Sequence, residues 1–97
     1  MKVIGLKVFW TYYDSPFTNR DEFRSSDVFL SEECAKEQGK QLAKELLRPY
    51  SFPEVYDVTL KIYDAQITDT GVKYDELLCE CKYEDTDFYT DEELYEY

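Results

Sequence analysis

The chain has 97 residues, the length of one domain, and its 43% apolar and 18% aromatic content is too rich in large side chains for a disordered polypeptide. Twenty-two acidic residues against 11 basic ones give a net charge of −11, a field that repels nucleic acid and anionic bilayers and attracts basic protein surfaces. No apolar run approaches the roughly 18 residues of a membrane span. Lys2 and Lys7 bracket a stretch too short for a signal peptide, and three scattered cysteines suit a reducing compartment better than a disulfide framework. These features set the expected location as the cytoplasm.

Along the chain, Val3 to Tyr13 alternates with period two, which predicts a strand with Ile4, Leu6, Val8, Trp10 and Tyr12 on one face. Gly5, Lys7, Phe9, Thr11 and Tyr13 fall on the other. Asp14-Ser15-Pro16 ends the strand, and Pro16 to Asp21 reads as polar turn. Phe23 to Leu30 is a second, shorter strand with Val28 and Leu30 expected inward. Ser31 is a helix N-cap followed by Glu32 and Glu33 in the first turn. Ala35, Gly39, Leu42, Ala43 and Leu46 then recur at helical spacing, and Pro49 requires the helix to stop by Arg48. Val55 to Ile67 and Val72 to Tyr83 are strands joined by the turn Thr68-Asp69-Thr70-Gly71, a hairpin. On the last strand Leu77, Cys79, Cys81 and Tyr83 are expected to share a face.

The predicted fold is therefore α+β, ββαββ, with a four-stranded mainly antiparallel sheet, one helix on one face, and an acidic C-terminal tail. Residues 1–83 form the domain, and 84–97 a tail or short helix in which Thr90 and Glu93 make a capping box. One helix covers only one face of such a sheet. The other carries Phe9, Tyr13, Tyr63 and Leu78 among Lys7, Asp57, Lys61, Glu76 and Glu80. Either it is a binding surface, or the Asp14–Asp27 loop or the tail folds over it.

Catalytic parts are scarce. The chain has no histidine, which removes Ser-His-Asp and Cys-His nucleophilic systems and the commonest metal ligand. Cys79 and Cys81 lie among Glu76, Glu80 and Glu84, which oppose a reactive thiolate, and only Cys34 could join them on a metal. Asp69-Thr70-Gly71 matches the active-site triplet of retroviral-type aspartic proteases, but its flanks, Gln66-Ile67-Thr68 and Val72-Lys73, are not that family's. Asp-Thr-Gly is also good hairpin chemistry. There is no phosphate-cradling glycine loop, and Asp85 to Glu93 lacks the glycine and ligand spacing of a calcium loop. The expectation is a non-enzyme with no cofactor and no metal.

Charge and aromatic content point elsewhere. Lys36, Lys40, Lys44 and Arg48 recur along the helix beside Glu33, Glu37 and Glu45, a salt-bridged solvent face. The remaining surface is more acidic still. Duplex DNA carries a charge per about 1.7 Å of axis, or about 3.4 Å per strand. An extended tail with one acid in two residues carries one per ~6.6 Å. Mimicry of a duplex would therefore need the sheet carboxylates Asp57, Asp64, Asp75, Glu76, Glu80 and Glu84 as well. The ten tyrosines add rigid contact area with polar tips suited to a partner's Arg and Lys.

In size, in charge and in the segment Asp75-Glu76-Leu77-Leu78-Cys79-Glu80-Cys81-Lys82-Tyr83-Glu84-Asp85-Thr86-Asp87-Phe88-Tyr89-Thr90-Asp91-Glu92-Glu93, the chain resembles the small acidic proteins by which phages disable host defences. These are the anti-CRISPR proteins and the DNA-mimic inhibitors of restriction or repair enzymes. The resemblance implies an inhibitor acting in the host cytoplasm on a protein with a basic nucleic-acid groove, such as a CRISPR effector, with no direct contact to nucleic acid or membrane. The residues expected to meet the partner are Asp75, Glu76, Glu80, Glu84, Asp85, Asp87, Phe88, Tyr89, Asp91, Glu92 and Glu93. The alternative is a small interaction or assembly module, homodimeric in one form, that uses the aromatic sheet face.

Overall fold

The computed structural model describes the backbone of residues 1–15, 18–49, 54–90 and 92–93, and the side chains of 1–12, 28–49, 54–90 and 92–93. Strands β1 (Lys2–Ser15) and β2 (Thr18–Phe29) precede helix α1 (Glu32–Leu46), and β3 (Val55–Thr68) and β4 (Gly71–Glu84) follow it. The four strands make one sheet of order β2-β1-β3-β4, with every neighbouring pair antiparallel. The fold is α+β, as the alternation and the helical stripe predict.

The helix starts where the sequence places it. Ser31 is extended, and its hydroxyl accepts from the Cys34 N–H at 3.2 Å, satisfying one of the orphan donors of the first turn. Ala35, Gly39 and Ala43 are its buried residues, a seam of small side chains that lets the backbone lie close to the sheet. Beneath it lie Leu6, Val8, Val58, Leu60 and Ile62, each almost completely buried, with Leu47 closing one end. A Cβ added at Gly39 would fall 2.7 Å from a Leu60 methyl, so a larger residue would force Leu60 to shift within the core.

Fifteen helical residues span about 22 Å, whereas fourteen strand residues span about 46 Å. The helix therefore covers the middle of its face and leaves the ends of the sheet bare. This matches an overall envelope of 49 × 26 × 16 Å, a thin two-layer plate.

Three local expectations are corrected. The turn expected over Pro16 to Asp21 is shorter, because β2 begins at Thr18 and runs alongside β1. Pro16 and Phe17 lie outside the described residues. Val28 and Leu30 point outward, at 37% and 91% exposure, and Phe29 packs on the core instead. The cause is an irregularity between Gly5 and Lys7. It sets Val28 opposite Gly5, on the face away from the helix, and Phe29 opposite Ile4, on the helix side. Leu77 likewise parts from Cys79, Cys81 and Tyr83. The β3–β4 register shifts between Ile62 and Tyr63 leave Leu78 as an extra residue, and a second shift follows between Tyr63 and Ala65. Cys79 then sits opposite Ile62 in the core, and Leu77 opposite Tyr63 on the other face.

The hairpin turn is as read from Thr68 to Gly71. Gly71 has φ 128°, a conformation L side chains rarely adopt, and the Thr68 hydroxyl donates to the Gly71 carbonyl at 2.8 Å while accepting from the Thr70 N–H at 3.3 Å. Asp69 is an exposed turn residue.

Two substitutions test the helix-to-sheet contact. Leu60→Ala should lower unfolding free energy by about 2–5 kcal/mol, and Gly39→Val by about 1–3 kcal/mol through overpacking, both measured by denaturant titration. Unchanged stability of Gly39→Val would contradict the close approach.

Candidate functional site

Strand alternation presents Val3, Gly5, Lys7, Phe9 and Thr11 of β1 away from the helix, beside Asp57, Thr59, Lys61, Tyr63 and Ala65 of β3. The pairing builds rows across the sheet: Gly5–Tyr63–Leu77, Lys7–Lys61–Glu80, Phe9–Thr59–Lys82 and Thr11–Asp57–Glu84. Lys7 directly opposite Lys61 is a like-charge pair, which is unfavourable on its own. Both ammonium groups are drawn over aromatic rings. Lys7 Nζ lies 4.3 Å from the Tyr74 ring centre and 5.3 Å from that of Tyr63, and Lys61 Nζ lies 5.1 Å from Phe9. Tyr63 and Tyr74 meet edge to face at 5.5 Å. Tyr74 also roofs Gly5, where an added Cβ would lie 2.5 Å from its ring.

The segment expected as a covering loop is β2, which widens the sheet instead. The tail turns the other way, onto the helix side. Its first residues, Asp85–Asp87, form a 3-10 turn closed by a capping box in which the Glu84 N–H donates to Asp87 Oδ2 at 2.7 Å. Phe88 then packs on the core with its ring 5.2 Å from Tyr83, and the Tyr89 hydroxyl donates to the Lys44 carbonyl at 2.8 Å, near the end of α1. Thr90 and Glu93 make the reciprocal pair expected of them: the Glu93 carboxylate accepts from the Thr90 N–H, and the Glu93 N–H donates to the Thr90 hydroxyl.

The expected partner residues thus fall into separate places. Asp75 accepts from Gln66 at 3.2 Å and lies 4.0 Å from Lys73. Glu76 borders a shallow notch of about 160 Å³ with Lys2 and Asp64. Glu80 stands on the open face, beside a depression of about 290 Å³ shared with Phe9, Asp57 and Lys61. Glu84 ends β4 and caps the 3-10 turn that holds Asp85 and Asp87, while Phe88 and Tyr89 are half-buried in contacts within the chain. Glu92 and Glu93 lie beyond it, and Asp91 is outside the described residues. Asp75 and Glu84 are nine strand residues apart, about 30 Å. Four carboxylates over that length, with Lys82 held by Asp57 at 3.7 Å among them, are about one per 7–8 Å, sparser than a single DNA strand. Tyr74 was missed in sequence although plain alternation from Cys79, Cys81 and Tyr83 already puts it on the open face: the two register shifts between them cancel.

The depression is open and at the small end of the range of ligand pockets, so it does not enclose a small molecule. Cys34 is exposed at the helix start, and the described residues hold no cluster of three metal-ligating side chains. Among the described residues no helix is long and apolar enough to cross a membrane. Comparison with protein-family models, with curated proteins and with solved structures finds no match to this chain.

Burial pushes the Cys79 thiol up from its usual value of 9.0, helped by Cys81 and Glu32 and opposed by Lys36. Burial does the same to the Tyr83 hydroxyl, from 10.0. The folded state holds both protons more tightly than the unfolded chain, so their contribution to stability is complete below pH 9.0 and is lost as pH rises. The melting temperature should fall as pH is raised through this range, and Cys79→Ala should flatten the first part of the fall. In thiol labelling at pH 8, Cys34 should react first and Cys79 lag; equal rates would contradict the burial.

The tail contact has its own test. Phe88→Ala should cost about 1–3 kcal/mol if its ring serves the core, whereas a freely solvated tail would tolerate the change. Cutting the chain after Tyr83 would remove the same ring, so charge substitutions probe the tail more cleanly than truncation.

Proposed function

We propose that this protein works by binding another protein, as a non-enzymatic inhibitor that fills a basic groove ordinarily occupied by nucleic acid, of the kind found in CRISPR effectors and in restriction or repair enzymes. The observation that carries this reading is the disposition of charge on the β4 side of the sheet. Lys73, Lys82, Lys7 and Lys61 are each held by a carboxylate or a ring. Glu76 and Glu80 make no ion pair within 4 Å among the described residues, Lys61 opposite Glu80 lying over the Phe9 ring instead, and Glu84, Asp85 and Asp87 follow on the same edge. A target's Arg and Lys would find carboxylates whose own cations are already spent. The spacing, sparser than phosphates, favours electrostatic attraction and groove filling over residue-by-phosphate imitation.

A second reading rests on a different observation. The open face gathers Phe9, Tyr63 and Tyr74 on neighbouring strands, which suits an apolar interface with a partner or a second copy. Its binding would depend weakly on salt, and sedimentation at high concentration would show the dimer form directly.

The test is capture from nuclease-treated bacterial lysate, followed by kinetics on the purified partner. The inhibitor reading expects a nucleic-acid-binding protein whose association rate falls at least tenfold as salt rises from about 50 to about 200 mM, and which added nucleic acid displaces. An association rate flat in salt, with the partner still holding its nucleic acid, would sink it and leave the aromatic face as the interface.

A further inference from the structure

We propose that the outer edge of β4, over Cys79–Glu84, takes up an extended basic segment of the partner as a fifth strand. This rests on the reading above in taking the partner to be basic, and goes further in naming the element that docks and the form the partner segment takes.

The first ground is the backbone. β4 is the last strand of the sheet, with no described strand beyond it, so every second N–H and C=O along its outer side lacks a strand partner. The second ground is the side-chain pattern. Cys79, Cys81 and Tyr83 lie on the helix side, partly buried against the core, and Glu80 and Glu84 lie on the open side, with Lys82 between them held by Asp57. A strand laid alongside would place apolar side chains next to Cys79, Cys81 and Tyr83 and cationic ones next to Glu80 and Glu84. Alternating Arg or Lys with Val or Ile is therefore the sequence this edge selects.

The bulges define the limits. Leu78 is an extra residue, and the register shifts again before Tyr74, so regular pairing on the outer side stops at Cys79. The Glu84 N–H is taken by Asp87, which ends it at the other side. Six residues, about 20 Å, remain. A second copy of the chain is a poor occupant: it would bring its own Glu80 and Glu84 to the same six residues, and both copies carry the −11 charge.

Three blocked hexapeptides test this against the full-length, isotope-labelled protein, read by backbone amide shifts. One alternates Arg and Val. The second is identical but N-methylated at the residues that would donate to the edge. The third has Glu for Arg. The expected result is saturable shifts concentrated on Cys79–Glu84 with the first peptide alone, weakened several-fold by Glu80→Lys and by added salt. If the N-methylated peptide binds as well as the first, charge attraction stands and the fifth strand is overturned. Shifts centred on Phe9, Lys61 and Tyr63, or no saturable shift with the Arg-Val peptide at millimolar concentration, also overturn it. Salt-insensitive association of the captured partner would overturn the groove reading separately.

Discussion

Helix α1 comes close to the sheet at Gly39, whose backbone lies over the side chain of Leu60. Gly39 costs the helix about 1 kcal/mol in propensity against alanine. The close approach it permits offsets that cost by letting Leu6, Val8, Val58, Leu60 and Ile62 lose nearly all solvent contact under Ala35 and Ala43. Because the seam is made of small residues, the layer above the sheet is thin, and the core has little depth. The remaining large side chains therefore sit at its margins: Trp10 and Phe29 on one side, Tyr83 and Phe88 on the other, all partly buried.

That geometry accounts for the tail. A helix of about 22 Å on strands of about 46 Å leaves core-facing residues such as Tyr83 uncovered at the end of β4. Phe88 supplies the missing cover, and the bond from the Tyr89 hydroxyl to Lys44 ties it to the last turn of the helix, where carbonyl groups lack intrahelical donors. Two aromatic residues that look available for a partner in the sequence are thus recruited to the fold. The acids beside them stay at the surface, because burying an unpaired carboxylate costs far more than burying a ring.

The sequence displayed the elements and hid the parity. Period two over Val3–Thr11 and Asp57–Ile67, the Ser31 cap and the stripe through Gly39 are local patterns, and the structure follows each of them, whereas beyond the shift between Thr11 and Tyr12 it is Val55 that packs on the core. What failed was face assignment wherever a bulge intervened: Val28 after the irregularity near Gly5, and Leu77 beyond Leu78. A bulge is one added residue with no composition of its own, so alternation on either side looks regular while the faces exchange. Phe88 failed for another reason. Its partner Tyr83 is close in sequence, but what needs covering there depends on how far the helix reaches, which only the assembled layers decide. Of the candidate site, the acidic run was legible residue by residue, and its division between notch, open face and 3-10 turn was not.

The bulges that defeat face assignment also shape the β4 edge. An uninterrupted edge of fourteen residues bearing Leu77 and Leu78, at 44% and 37% exposure, would invite indiscriminate pairing with other strands. Extra residues near Leu78 and Tyr74 break it, and Asp75, Glu76 and Glu80 repel acidic intruders. Protection of this kind is selective. Carboxylates that discourage self-association attract cations equally well, and a bulge limits the length of an intruding strand without forbidding a short one. Features that discourage pairing along this edge therefore also bias the charge and the length of a strand that could pair there.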